Sequence, residues 1–341
     1  MNPYYQYFSG CEFFQTLPPC AASELVHFRK RIGEKGVEKI LKHSIDLHGD
    51  DAKEKTVSID TTAQEKNITF PTDAKLYKKI IDKCNKIRKA HGLPCRRSYT
   101  KTAKNLVRQQ HNGNHPKRRK GAASARRQLK TIAGRLVREL KKNMNEQQRE
   151  DYDGQFSIFK RILEQTKTSK NKIYSIHEPK VYCMGKGKAH KPYEFGAKGS
   201  IVVTQSSNII VGAMTFETNV FDGHTLDAVI EQTENLTGQS PDNAYVDRGY
   251  KGKKRVRETN INIPSPPKKT DTNYKKAKAR KGFRRRAAIE PIIGHLKTDH
   301  RVKINYLKGQ VGDSICLVFT HEKCTVLETK ITLTLLFSIV N

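Results

Sequence analysis

Two aspartates and a glutamate carry the chemistry that this sequence can do. Asp60 closes the β-branched run Thr56-Val57-Ser58-Ile59-Asp60, and Asp247 closes the short apolar run Ala244-Tyr245-Val246-Asp247. Glu290 lies in a helical stretch among Arg284, Arg285, Arg286 and Lys297. Carboxylates are hard oxygen donors, so a set of three suits Mg2+ or Mn2+, and two such ions flanking a phosphate are what metal-assisted phosphodiester cleavage requires. Each residue also has a plainer reading. Asp60 and Asp247 fit turn formers at strand ends, and Glu290 fits an i,i+4 ion-pair partner of Arg286.

Charge points to the same chemistry. The chain of 341 residues has 65 Lys and Arg against 34 Asp and Glu, a formal net charge of +31. An excess of that size concerns partners, and nucleic acid is the first one it suggests. A protein that merely coats phosphate would share it, but would not need a glutamate in its most basic helix. The seven cysteines include no C-x-x-C pair, which argues against a structural zinc and for reduced thiols. The start has no basic, then apolar, leader, and the apolar run 331–340 is too short to span a bilayer. The expectation is a cytoplasmic protein with no membrane partner.

The elements that must position the three carboxylates follow from periodicity. Residues 1–55 read as a helical segment. A strand at Thr56–Asp60 would put Asp60 at its carboxyl end, where open α/β sheets place their chemistry. Residues 73–168 read as a basic helical insertion: between Arg96 and Lys142 sixteen Lys and Arg face one acid, Glu139. Leu129, Ile132, Leu136, Val137, Leu140 and Met144 recur there at helical spacing, with Arg127, Lys130, Arg135, Arg138, Lys141 and Lys142 on the remaining surface. Phe156, Phe159, Ile162 and Leu163 extend the helical pattern. Strands are expected at 172–176, 199–205, 208–216, 244–247 and 261–264, with a helix at 226–236 and one further helix carrying Arg286, Glu290 and Lys297 on one face. Strands followed by mixed strands and helices make an α/β domain interrupted by the insertion.

The motifs Ile59-Asp60-Thr61-Thr62, Asp247-Arg248-Gly249-Tyr250-Lys251-Gly252 and Arg286-x-x-x-Glu290-x(6)-Lys297 resemble those of the DDE transposases of bacterial insertion sequences, the group typified by insertion sequences four and five. Phe70-Pro71-Thr72-Asp73-Ala74-Lys75-Leu76, Gly187-Lys188-Ala189-His190-Lys191-Pro192-Tyr193-Glu194-Phe195-Gly196 and Asp222-Gly223-His224-Thr225-Leu226 extend the resemblance over residues 2 to 315 or so. It implies an RNase H-like, retroviral-integrase-like mixed sheet flanked by helices, spanning 56–315, with Asp60, Asp247 and Glu290 as catalytic residues holding two Mg2+ or Mn2+ ions. Arg286, Lys297, Arg248, Arg284 and Arg285 would contact DNA. The implied partners are terminal inverted repeats, target DNA and further copies of the chain, in a bacterial, nucleoid-associated setting. The implied activity is DNA cleavage and strand transfer, that is, transposition and recombination.

Three departures stand out. Phe283 replaces the tyrosine of the signature Tyr-x-x-Arg-x-x-x-Glu-x(6)-Lys, keeping the ring and losing the hydroxyl. Similar transposases have a longer helical amino-terminal region before the segment resembling Asn2-Pro3-Tyr4-Tyr5. They also end in an Ala-rich helix where this chain has the atypical tail 316–341. These suggest a truncated or frameshifted, decayed copy with its carboxylate triad intact. The alternatives are a catalytically dead DNA-binding protein and a metal-dependent nuclease that does not join strands. Lesser candidates are His190 and His224 as structural histidines, His295, Asp299 and His300 near the DNA, Lys191 and Lys198 as solvated or phosphate-touching lysines, and Tyr245 or Tyr250 in the core.

Overall fold

The computed structural model describes residues 3–8, 10–17, 20–187, 190–300 and 302–326. The tail beyond 326, Asn2, Lys188 and Ala189 thus lie outside the described residues. The chain divides into two compact units, one of Met1–Asn67 with Met184–Asn341 and one of Ile68–Cys183.

In chain order the elements are α1 (Pro3–Phe8), α2 (Ala22–Asp46), β1 (Thr56–Lys66), α3 (Asp73–Ala90), α4 (Thr100–Arg108), α5 (Pro116–Asn143), α6 (Glu146–Asp151), α7 (Asp153–Glu164), β2 (Tyr182–Gly185), β3 (Tyr193–Thr204), β4 (Ile210–Phe216), α8 (Asp222–Thr237), β5 (Asn243–Tyr245), β6 (Arg255–Val256), β7 (Thr259–Asn262), α9 (Asn273–Arg286), α10 (Ile289–Thr298), β8 (Ile304–Asn305) and α11 (Gly309–Val326). No helix among the described residues is long and apolar enough to cross a membrane.

The first unit is built on a mixed sheet in the order β2-β3-β1-β5-β7-β6, with β4 paired to β3 and β8 to β1. β1 is its central strand. It runs antiparallel to β3, with Asp60 opposite Ile201, and parallel to β5, with Val57 opposite Ala244. Val57 and Ile59 of β1 join Ile201, Val202, Val211, Leu226, Val229, Ile230, Ala244 and Val246 in one buried core. Helices α2, α8 and α11 pack together around β4, α10 lies against β1 and α9 against β5. An open sheet with both parallel and antiparallel strands and flanking helices is consistent with an RNase H-like fold.

β1 is longer than its apolar run suggests, so Asp60 sits in mid-strand and not at the carboxyl end. Thr61, Thr62 and Ala63 continue the ladder with Ser200, Gly199 and Lys198, and the pairing reaches Glu65 opposite Gly196. Threonine and alanine are short enough to sit between paired neighbours, which lets a strand run on without an apolar pattern. The far end of β1 is clasped by a buried ion pair, Lys66 Nζ to Asp313 Oδ1 at 2.7 Å, with the ammonium also donating to the Leu307 carbonyl at 2.8 Å.

The second unit is built on helices α3 to α7. On α5, Ala125, Leu129, Ile132, Ala133, Leu136, Val137 and Leu140 are buried, against Leu76, Ile80, Ile81, Cys84 and Ile87 of α3 and Phe156, Phe159 and Ile162 of α7. Lys172–Ile176 is not a strand. Ile173 is buried in an irregular segment whose backbone is satisfied by the Gln165 amide, which accepts from Ile173 N at 3.1 Å and donates to Ile173 O at 3.2 Å. A side-chain clamp thus does the work that a neighbouring strand would do.

The helix expected to carry Arg286 and Glu290 is two helices, α9 and α10, broken at Ala287 and Ala288. Pro291 explains the break. It has no N–H to offer the Ala287 carbonyl and its ring crowds that oxygen. The carbonyl instead accepts from Glu290 N at 3.2 Å, one residue short of an α-helical bond.

Gly196 tests the β1–β3 register. A Cβ there would lie 1.8 Å from the Gln64 carbonyl oxygen, backbone that cannot move without opening the ladder. Gly196→Ala is expected to cost on the order of 4 kcal/mol, a fall in melting temperature of roughly 10 °C by circular dichroism.

Candidate active site

The residues predicted to carry the chemistry gather at the centre of the first unit. β1 delivers Asp60, the residues after β5 deliver Asp247, and α10 delivers Glu290. Asp60 Oδ1 accepts from the Thr61 backbone N–H at 2.8 Å. Asp247 caps the short 3-10 turn Arg248–Tyr250 by accepting from Gly249 N at 2.7 Å, so its turn-forming role is real as well.

Arg286, at the end of α9, joins two of the carboxylates. Its Nη2 lies 3.4 Å from Asp60 Oδ2 and its Nη1 3.7 Å from Glu290 Oε1. The Asp60 and Arg286 side chains are 17% and 15% exposed, whereas that of Glu290 is 67% exposed, so the pair grades from buried to open across one guanidinium. Arg286 Nε is buried with no hydrogen-bond partner.

Burial pushes the Asp60 carboxyl up to about 6, against the pull of Arg286 and the Thr61 N–H, and the charges of Asp247 and Glu290 add to the rise. One cation shared with Glu290 therefore does not offset the desolvation of Asp60. Among the described residues, no group of three or more His, Cys, Asp or Glu side chains is close enough together to hold a metal ion. The donor chemistry still fits one. All three groups are hard oxygen donors, and Asp60 is a buried carboxylate short of positive charge.

The other predicted residues are placed as follows. Arg248, Arg284 and Arg285 are exposed and Lys297 is half-buried on α10. Arg285 also donates to the Gln205 carbonyl at 3.2 Å, while Gln205 Nε2 donates to Gly282 O at 3.3 Å, so Gln205 ties down the end of α9. Gly282 lets that helix close on Tyr245, since a Cβ there would fall 2.3 Å from the ring. Phe283, standing in the tyrosine position, meets Tyr245 edge-on with ring centroids 5.2 Å apart. His295 is held by Asp299 at 2.7 Å, and Lys191 pairs with Glu65.

Lys198 is neither solvated nor free for phosphate. Its side chain is 13% exposed and donates to Asp222 Oδ1 at 2.8 Å and to the Val220 carbonyl at 2.6 Å. Asp222 is the residue that sequence reasoning left out of the site. It also accepts from Thr61 Oγ1 at 2.8 Å, next to Asp60. Its stretch, Asp222-Gly223-His224-Thr225, stood among the family-like motifs, and that was the signal available. Tyr250 is fully buried, and burial together with the charges of Asp60, Asp222 and Asp247 drives its hydroxyl well above the usual phenol range.

The first unit is thus a mixed open sheet with carboxylates on a central strand, after its parallel neighbour and on a following helix. Residues 164–312 match the family model described as Transposase DDE domain. That span holds Asp247, Arg286, Glu290 and Lys297, and Asp60 lies before it. The chain is also similar to an uncharacterized protein of Rhizobium meliloti, ORF8 in the nfe locus, with 44% identity over 108 residues, 30% of this chain and 52% of the relative. The chain thus spans about half the length of that relative. No solved structure matches it.

A carboxyl raised by folding contributes stability that is fully present below its unfolded value of 3.8 and is lost as pH rises through about 6. Asp60→Asn is therefore expected to raise unfolding free energy at pH 8 by roughly 1–3 kcal/mol, with the gain vanishing by pH 4. Urea titrations at the two pH values measure it.

Proposed function

We propose that the protein is a DDE transposase that binds the ends of its element and performs metal-dependent cleavage and strand transfer. The observation that carries this reading is the Arg286 guanidinium set between Asp60, 226 residues away in sequence, and Glu290, with Asp247 acting on the same carboxylate. Three acids and one arginine converge in a unit whose later part matches the transposase domain.

In this reading Asp60, Asp247 and Glu290 hold two Mg2+ or Mn2+ ions. When bound, such ions supply an activated oxygen nucleophile and offset the charge that builds on the leaving oxygen. The protein's own groups do the rest. Arg286 pairs with Asp60 and Glu290 until a phosphodiester arrives, then turns its fork to the phosphate, a geometry a lysine cannot offer. Lys297, Arg248, Arg284 and Arg285 hold the backbone on either side of the break. Asp60, Asp247 and Glu290 lose no charge in the cycle; a water or a freed 3′-hydroxyl passes its proton to solvent and attacks phosphorus in line, while the opposite P–O bond breaks and its oxygen leaves as a 3′-hydroxyl, protonated from solvent. The helical unit 68–183, with its net charge of +15 between Arg96 and Lys142, adds affinity that does not depend on sequence. The helical segment 1–55 belongs to recognition of the ends, which copies of the chain hold in pairs.

One observation favours a second reading, a DNA-binding protein without catalysis. The carboxylates stand apart around Arg286, with no metal-holding cluster among the described residues. Cleavage of a supercoiled plasmid carrying the element's ends separates the two. Mg2+-dependent nicking at the ends, lost in Asp247→Asn, supports the transposase. Binding without nicking in either protein supports the second reading. Pre-cleaved ends that yield no joined product would reduce the activity to that of a nuclease. Metal-free DNA affinity is expected to drop roughly a thousandfold between 50 and 200 mM salt, measured by fluorescence anisotropy.

A further inference from the structure

Asp222 belongs to none of the roles assigned above, yet it bonds the residue that supports one of the three carboxylates and lies beside the support of a second. Asp60 Oδ1 is held by the backbone N–H of Thr61, and Asp247 Oδ1 by the backbone N–H of Gly249. Asp222 bonds the first of these supporting residues and lies beside the second. Its Oδ1 accepts from the Thr61 hydroxyl at 2.8 Å, and its Oδ2 lies 3.1 Å from where a Cβ on Gly249 would stand. The absence of a side chain at 249 leaves room for two carboxylate oxygens, of Asp247 and Asp222, on the side where a Cβ would stand.

The rest of its surroundings equip Asp222 for this position. Lys198 supplies the counter-charge at 2.8 Å, so a fourth acid can sit beside the others without adding net charge. Asp222 opens α8, and the first turn of that helix is closed by the Thr225 hydroxyl on the Asp222 carbonyl at 2.7 Å, which leaves the carboxylate to point away from its own helix. Thr61, Lys198, Asn219 and Asp222 line a polar cleft of about 220 Å³, which gives solutes access to this side of β1.

We propose that Asp222 is a positioning residue: through its bond to Thr61 it fixes the placement of the Asp60 carboxylate, beside Asp247, for a divalent cation. The inference rests on the reading that those two carboxylates hold metal. A helix-capping acid paired with a lysine would need no bond to Thr61. The Thr61 hydroxyl is therefore the discriminating group.

Mn2+ titrations of the full chain, followed by electron paramagnetic resonance, test the proposal. Asp222→Ala and Thr61→Val are each expected to weaken Mn2+ binding roughly tenfold, the low end for a group that orients a metal ligand. Thr61→Ser, which restores the hydroxyl, is expected to bind as wild type does. Metal-free DNA affinity and the circular dichroism spectrum should not change in either threonine variant. Wild-type Mn2+ affinity in Thr61→Val would overturn the positioning role, even if Asp222→Ala fails to fold. Asp60→Asn separates this failure from that of the broader reading. If Mn2+ affinity is unchanged there, the carboxylates do not hold metal, and both the proposed function and the positioning role fall.

Discussion

The arrangement of the first unit turns on the desolvation of one carboxylate. Asp60 is placed in mid-strand, where the sheet removes water from it, and Arg286 does not fully compensate. That imbalance accounts for several features around it. Arg286 must come from the end of a helix that stops there, because Pro291 interrupts the backbone bonds one residue after Glu290. α9 must lie close against β5, hence the glycine at 282 under the Tyr245 ring. Gln205, at the end of β3, must tie α9 by both its carbonyl and its amide. A carboxylate held in this way is under-neutralised by design of the fold, and a second cation is the simplest relief.

The same constraint separates the residues by task. Glu290 is open to solvent while Asp60 is not, although one guanidinium serves both. Exposure leaves Glu290 free to change partner, and burial keeps Asp60 where the sheet puts it. Asp247 is intermediate: it belongs to a turn whose own N–H holds it. The proposed site thus combines a buried, a tethered and an exposed acid.

Much of this was legible in the sequence, and the exceptions have physical reasons. The amphipathic period of α5 and the burial of Phe156, Phe159 and Ile162 follow from side-chain spacing alone. The ends of β1 do not, because ladder pairing with β3 carries Thr61 to Glu65 without an apolar pattern to mark them. The strand expected at 172–176 failed for the opposite reason. Its apolar residues are buried, but a single glutamine side chain satisfies the backbone. Asp60, Asp247 and Glu290 were named from residue type and motif. The partnership of Asp222 with Thr61 was not, since a contact across 161 residues leaves no local trace.

The placement of the helical unit between β1 and β3 has a consequence for synthesis. Val57 of β1 pairs with Thr204, so the central strand emerges from the ribosome long before its antiparallel neighbour exists. At about 5–20 residues per second that interval is on the order of ten seconds. During it Val57 and Ile59, which end fully buried, have no sheet to join. The helices of 68–183, rich in local contacts, can form within that time. The nascent chain thus carries an apolar strand with open edges followed by a folded basic body. Its yield in a cell should depend on how well that strand is shielded in the interval, by a chaperone or by the rate of translation itself.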